Sequence, residues 1–410
     1  MGSVSYWQSE AGATAASPLR ERITADVVIV GAGITGVALA LWLARAGLRP
    51  VVLEARETAA GASGRNGGFL LGGTAEAYAT ARERYGAERA RRIWAYSAGN
   101  NAQAVELAGE LRERGVTTGF ARNGSLRIAL AEAELEEIRR SVALLVEDGW
   151  KAELLDRAAL PERLRATYLG ASYHPLDAEI QPARYVRGIA ALAAEAGALF
   201  YDHSSVTAIV EDADGVQVTT PEGAVIAATL ALATNAWLGE SGALLDAGWL
   251  ARVIAPTRGQ MLTTTPVTNV GFPCPCYADE GYQYWRQLPD GRLAVGGWRN
   301  HAVAREVGLD ETPNETVQPH LERFVRETLG LPDARIEHRW AGIMAFSADG
   351  LPLVGKLPDH ERIYLAGGYS GHGNAYAISA ARVLTALIQG EAHPDADLFD
   401  PARFAPNDQV

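Results

Sequence analysis

Two glycine-rich turns and one aromatic stretch hold the groups in this 410-residue chain that could do chemistry. The first turn, "GAGITG", sets Gly31, Gly33 and Gly36 in GxGxxG spacing. There the first glycine permits a tight bend, the second lets a pyrophosphate approach the backbone, and the third lets a helix pack closely on a strand. Ile34 and Thr35 then open a helix whose free N–H groups and dipole favour an anion. Glu54 follows about twenty residues on, where an acid accepts ribose hydroxyls and disfavours a 2′-phosphate. The second turn is "LAGGYSGHGNAYAIS", residues 365–379, in which Gly367, Gly368, Gly371 and Gly373 surround His372. Its glycines suit a strand end and a helix start laid against a flat ring, with amides and the helix dipole facing that ring's negative edge. The aromatic stretch is "YADEGYQYWRQ", where Tyr282, Tyr284 and Trp285 could wall a site for a cationic or apolar amine. Strand alternation puts Tyr282 and Tyr284 on one face and Trp285 on the other, so not all three can face a substrate. The alternative is that they are core residues of a hairpin. Arg286 and Arg299 either bind a distant acid group or pair with Asp279 or Glu280.

The elements that must position these groups are legible from hydrophobic patterning. "ADVVIVG" reads as a buried parallel strand, "ITGVALALWLARAG" as a helix ending at Gly47, and "RPVVLEA" as a second buried strand. Together they form a βαβ unit, the context a dinucleotide site needs. Residues 74–150 are rich in Ala, Glu and Arg with helical periodicity, broken by a strand at "GSLRIAL". A helix at "RYVRGIAALAAEAG" leads into alternating strands at "SSVTAIVED" and "VQVTTPEG", then a wholly apolar one at "AVIAATLALAT". Residues 251–300 are strand-rich. A helix with an Asn cap follows at "NETVQPHLERFVRETLG", and the strands "IEHRWAGIMA" and "RIYLAGG" precede the last helix. The expected class is α/β (α+β overall), with an arm at 1–20, a nucleotide domain built from 21–75, 177–250 and 336–400, and a mainly antiparallel substrate domain from 76–176 and 251–335.

Composition narrows the function classes. Apolar residues make up 48% and charged residues 21%, which fits a large globular core. A net charge of −12 argues against binding a nucleic-acid backbone. Arg82, Arg84, Arg89, Arg91 and Arg92 alternate with Glu83 and Glu88, the pattern of a solvated helix face. Only Lys151 and Lys356 are lysines, which leaves few candidates for Schiff-base or oxygen-activating roles. Cys274 and Cys276 are too close for an unstrained disulfide, and no further Cys or His cluster completes a metal site. No apolar run reaches membrane-spanning length and the first residues lack a signal-peptide pattern, so a cytoplasmic protein is expected.

The stretch after the second strand, "ARETAAGASGRNGGFLLGG", separates the nucleotide classes. A nicotinamide domain usually continues in regular βα units, whereas here a second glycine loop follows at once. With "GASGRNGG", "YWRQLPDGRLAVGG" and "AGGYSGHG", the chain resembles the D-amino acid oxidase-like family of FAD-dependent oxidoreductases, most nearly its gamma-glutamylputrescine oxidase-like amine oxidase branch. The resemblance runs through most of the chain. It implies a Rossmann-like FAD domain of the glutathione-reductase-2 type with an inserted substrate domain. It also implies that Ala55, Arg56, Ser63, Arg65, Asn66, Gly67 and Gly68 line the cofactor's ribose, diphosphate, ribityl chain and ring edge. Val206 would offer its backbone to the adenine, and Thr234 and Trp237 would close on the dinucleotide. Gly368, Tyr369, Gly371, His372, Gly373 and Asn374 would lie against the pyrimidine side of the flavin.

Three departures from that family's patterns shape the substrate expectation. Met344 stands where the glycine oxidase and D-amino acid oxidase members carry a carboxylate-clamping arginine, and methionine cannot form a charge-assisted pair. Ala375 and, roughly, Ala294 stand where sarcosine oxidase members carry lysines. Gly342 replaces their flavin-linking cysteine, so FAD is expected to be bound noncovalently. The reading is an amine oxidase or dehydrogenase that passes a hydride to flavin N5, with oxygen or another electron acceptor completing the cycle. Tyr284, Tyr282, His372, Trp285, Arg286, Met344 and Tyr369 are its substrate-face candidates. Hydride transfer from a neutral amine needs no base, so His372 is expected to hold the loop or to hydrogen-bond flavin or substrate. Two other readings stay open: oxidation of a small secondary amino acid with Arg65, Arg286 or Arg299 as clamp, and a flavin-binding subunit without turnover. Oligomeric state is open.

Overall fold

A computed structural model describes residues 3–14, 16–268 and 270–405. Arg22–Val30 becomes the centre of a first eight-stranded sheet because its second half has no polar face to offer water. Pro50–Leu53 and Ala224–Leu232 flank it in parallel. Leu199–Tyr201 extends one side in parallel and Ile363–Gly367 the other, with Leu353–Lys356 antiparallel at that edge. The hairpin of Ala208–Glu211 and Val216–Thr219 branches from Ala224–Leu232. Strand order reverses at Arg22–Val30, and in open parallel sheets ligands bind at the carboxyl ends beside such a switch point.

The helix Ile34–Arg45 is buried along its whole length except Arg45. It packs with Pro182–Glu195 and Ala377–Ile388 over the face bearing Val27 and Ile29. Val28, Leu230 and Leu232 face a second core on the other side. The close approach of helix to strand has a single-atom cause: a Cβ on Gly36 would stand 1.9 Å from the Gly31 carbonyl oxygen. Gly47 ends the helix turn at φ +86°, a left-handed conformation that glycine adopts without steric cost.

The second sheet also has eight strands. Its order runs Ile336–Ser347, Ile254–Thr264, Leu293–Gly297, Gln283–Gln287, Cys276–Ala278, Ser125–Ala129, Gly170–His174 and Glu153–Asp156. All neighbours are antiparallel except Cys276–Ala278 beside Ser125–Ala129. Ile336–Ser347 therefore lies in the second sheet, whereas the sequence reading counts it with the nucleotide domain. Eleven register positions tie it to Ile254–Thr264, and the chain returns to the first sheet only at Leu353. The expected Asn cap falls one turn early: Asn314 Oδ1 accepts from the amides of Thr316 and Val317, in the turn before the helix Gln318–Arg323, whose own N-cap Val317 has no side-chain bond. No helix among the described residues is long and apolar enough to cross a membrane.

Candidate active site

A cavity of about 770 Å³ opens at the carboxyl ends of the first sheet and is walled on its far side by the second. Its near end is the first glycine turn. Gly31 takes φ +104°, and a Cβ there would meet the Ala233 carbonyl oxygen at 2.7 Å. The Glu54 carboxylate accepts the Ala32 amide on one oxygen and the Arg56 amide on the other, both at 2.9 Å. Each oxygen keeps a lone pair for a further donor. Burial raises the Glu54 pKa, and the two amide bonds draw it part of the way back. Ser63 Oγ accepts the Ile34 amide at 2.9 Å, and a Cβ on Gly33 would lie 3.0 Å from that oxygen.

The second glycine loop is clamped from three sides. Asn66 Oδ1 accepts the Gly68 amide at 2.7 Å and the Asn374 side chain at 3.1 Å, joining this loop to the C-terminal one. Arg65 is buried and donates to the carbonyls of Ala60, Ser3 and Ala341 while pairing with Glu311. It lines the cavity as a strut whose donors are already engaged. Arg56 pairs with the same Glu311 at 2.6 Å and covers the Trp237 ring. Glu311 was not singled out in the sequence; it sits in a loop without periodicity, and only its two arginine partners reveal it.

In the C-terminal turn, Ser370 is held at φ +49° and Tyr369 Oη meets Thr35 Oγ1 at 2.8 Å. His372 lines the cavity with Nδ1 buried and without a hydrogen-bond partner among the described residues. Burial, helped by the nearby Arg127 charge, lowers its pKa to about 4, so the ring is neutral at ordinary pH. One expectation fails here. The first amides of the final helix do not all face a ring, because Asn100 Oδ1 accepts from both Ile378 and Ser379.

Of the cofactor positions named from the sequence, all but Gly36, Gly68 and Gly368 line the cavity. Gly36 lies beneath the turn, and a Cβ on Gly68 would strike the Ile180 carbonyl and the Arg286 guanidinium. A Cβ on Gly368 would meet Ile254 and Leu353. Of the substrate-face candidates, Tyr284, Met344, Tyr369 and His372 line it and Tyr282, Trp285 and Arg286 do not. Trp285 points to the opposite face, as alternation requires, against Phe324, Tyr168 and Phe272. Tyr282 precedes the strand Gln283–Gln287 and lies under Arg299 instead. Arg286 pairs with Glu179, not Asp279 or Glu280, and is covered by the Trp7 ring. Tyr277 and Phe346 join the wall without having been named; both stand on strands of the second sheet.

These residues fit an FAD. A glycine turn with a bound acid suits the adenosine end, two further glycine loops continue the same cavity, and an unpartnered buried ring nitrogen awaits a partner at the far end. The volume falls within the roughly 300–1,000 Å³ of ligand pockets.

Over residues 26–387 the chain matches the family described as DAO, FAD dependent oxidoreductase. It is 30% identical to gamma-glutamylputrescine oxidoreductase of Escherichia coli (strain K12), over 93% of this chain and 87% of that one. Identity to the probable oxidoreductase OrdL of Haemophilus influenzae is 28%, over 91% of this chain and 85% of that one. Among solved structures, glycine oxidase from Geobacillus kaustophilus superposes with a TM-score of 0.79 at 22% identity, covering 94% of this chain and 99% of that one.

Proposed function

Because this chain belongs to the DAO family of FAD-dependent oxidoreductases and acts on the C–N bond of an amine or amino acid, we propose that its substrate is an amine without an α-carboxylate clamp. The observation that carries the reading is Met344. Its thioether stands in the cavity wall, where a Cβ on Gly259 would meet its methyl at 3.1 Å and one on Gly371 its sulfur at 3.5 Å. A thioether offers no charge to a carboxylate. The other walls here are the rings of Tyr284, Tyr277 and Phe346, which desolvate an amine and suit its alkyl chain.

FAD, when bound, supplies acceptance of a hydride at N5 from the carbon beside nitrogen, leaving an imine that water splits to an aldehyde and a smaller amine, with hydrogen peroxide formed if oxygen is the final acceptor. The chain's part is to bind and orient. Gly31, Gly33, Glu54 and Ser63 hold the dinucleotide end, and Asn66 with Asn374 fixes the two loops that hold the ring end. Neutral His372 offers Nδ1 to an N–H and is no proton reservoir at neutral pH. Gly342 carries no nucleophile, which supports noncovalent binding.

Anaerobic titration of the purified yellow protein with amines, polyamines and N-methyl amino acids tests this. Bleaching by amines in preference to α-amino acids is expected. Bleaching by α-amino acids alone would reject the reading, and peroxide measured on readmitting air separates oxidase from dehydrogenase.

A further inference from the structure

We infer that Arg299 is the seat of an anionic group, a carboxylate, that the substrate carries several bonds away from the C–N bond being oxidised. The inference rests on the amine reading only for the identity of the reacting end.

Among the described residues three arginines line the cavity, and two of them share the carboxylate of Glu311. The Arg299 side chain makes no hydrogen bond and no ion pair with any described residue; its carbonyl accepts the Ala302 amide at 2.9 Å. Nearby acids do not satisfy it. The Asp279 carboxylate accepts from Asn300 and Gln283, and Glu280 on the same wall is exposed and unpaired with it. A half-buried cation without a counter-ion in an aromatic pocket lacks a partner that the chain itself could have supplied.

Its posture is that of a receptor. The guanidinium carbon lies 4.6 Å from the Tyr282 ring centroid and 4.8 Å from that of Phe346. The rings engage the charge and not the N–H donors, which are left for a carboxylate that the planar fork can bind through two parallel bonds. The charge is felt by the phenols of Tyr277 and Tyr284, which also line the cavity. The residue before it is held in a conformation that side chains rarely adopt: Trp298 has φ +58° and is buried against Phe324. Backbone strain of this kind persists where surrounding structure enforces it and gathers at functional sites.

The distance from the reacting end follows from strand geometry. Met344 and Phe346 alternate on one face of Ile336–Ser347, so the stack on Phe346 lies one pleat repeat, roughly 7 Å, past Met344. That spacing suits an amine whose acid is at the end of a chain.

The test uses the FAD-loaded protein, Arg299→Gln and Arg299→Lys. Glutarate is titrated against the visible spectrum of the bound flavin, with 1,5-pentanediol as the uncharged control. Saturable perturbation by glutarate is expected in the unmutated protein, weakened at least tenfold in the glutamine variant and partly restored in the lysine variant. Flavin reduction by 5-aminopentanoate and pentylamine is then compared. Preference for the carboxylated amine should fall ten- to hundredfold in Arg299→Gln. Equal glutarate binding in all three proteins, no glutarate binding in any, or an unchanged preference would overturn the inference. If neither amine bleaches the flavin but glutarate binding still depends on Arg299, the anion seat stands and the amine reading falls.

Discussion

The indoles of Trp7 and Trp340 meet edge to face, with centroids 6.2 Å apart, and each donates to one of two consecutive carbonyls of the second glycine loop. Trp7 Nε1 bonds the Asn66 oxygen at 2.7 Å and Trp340 Nε1 the Arg65 oxygen at 2.8 Å. The loop therefore takes its shape from a helix, Tyr6–Ala11, that precedes the first strand. Ser5 Oγ and Gln8 Nε2 add bonds to Gly64, Ala59 and Ala60. Trp7→Ala should cost about 3–5 kcal/mol of stability, as for a buried Trp truncation, and release FAD. Trp7→Phe keeps a ring and loses one hydrogen bond, about 1 kcal/mol, so FAD should bind about fivefold more weakly. Fluorescence titration of the stripped protein with FAD measures both; equal FAD affinity in all three proteins would deny the helix this role.

Gly33 and Gly36 should fail in different ways. Gly36→Ala places a carbon against the Gly31 carbonyl and should prevent folding, seen as lost cooperative melting. Gly33→Val crowds only Ser63 Oγ and the space beyond it, so the protein should fold and purify colourless. A folded Gly33→Val protein that stays fully yellow would remove that turn from the cofactor site.

Met344→Arg puts a guanidinium between Tyr284 and the C-terminal turn. Preference should move toward α-amino acids by ten- to hundredfold, the scale of a charge-assisted hydrogen bond. Steady-state comparison of an amine with the matching α-amino acid reads it, and unchanged selectivity would count against Met344 as the determinant.

His372 provides a pH test. Its folded pKa of about 4 lies below the ordinary value of 6.5, so its contribution to stability is complete above 6.5 and is lost as pH falls through 4. The unfolded chain takes up a proton that the buried ring refuses. His372→Asn removes this penalty, so the melting-temperature gap between the unmutated protein and the variant should close from pH 7 to pH 5. Flavin reduction should slow about tenfold in His372→Ala with FAD retained, and its rise with pH should keep the same midpoint, because the amine substrate titrates there. Complete loss of reduction that high pH restores would instead make His372 a base.

What sequence alone determined was the dinucleotide turn and the strands and helix that carry it. Those features are local: GxGxxG, a helix opening and an acid at the end of the next strand are short-range requirements of backbone and packing. The apolar runs of Arg22–Val30 and Ala224–Leu232 likewise announced buried parallel strands. Strand alternation correctly turned Trp285 away from Tyr284, yet it misplaced Tyr282, because the extended backbone begins one residue later. Ile336–Ser347 read correctly as a strand, but no pattern in it says which sheet it joins. Only tertiary structure decided which charges are spent inside the protein. Arg65, Arg286 and Arg299 looked equivalent as candidate clamps, and the difference among them is the presence of Glu311, Glu179 or, among the described residues, no acid at all. Ion pairing depends on distances between residues more than a hundred positions apart, and no local spacing encodes those.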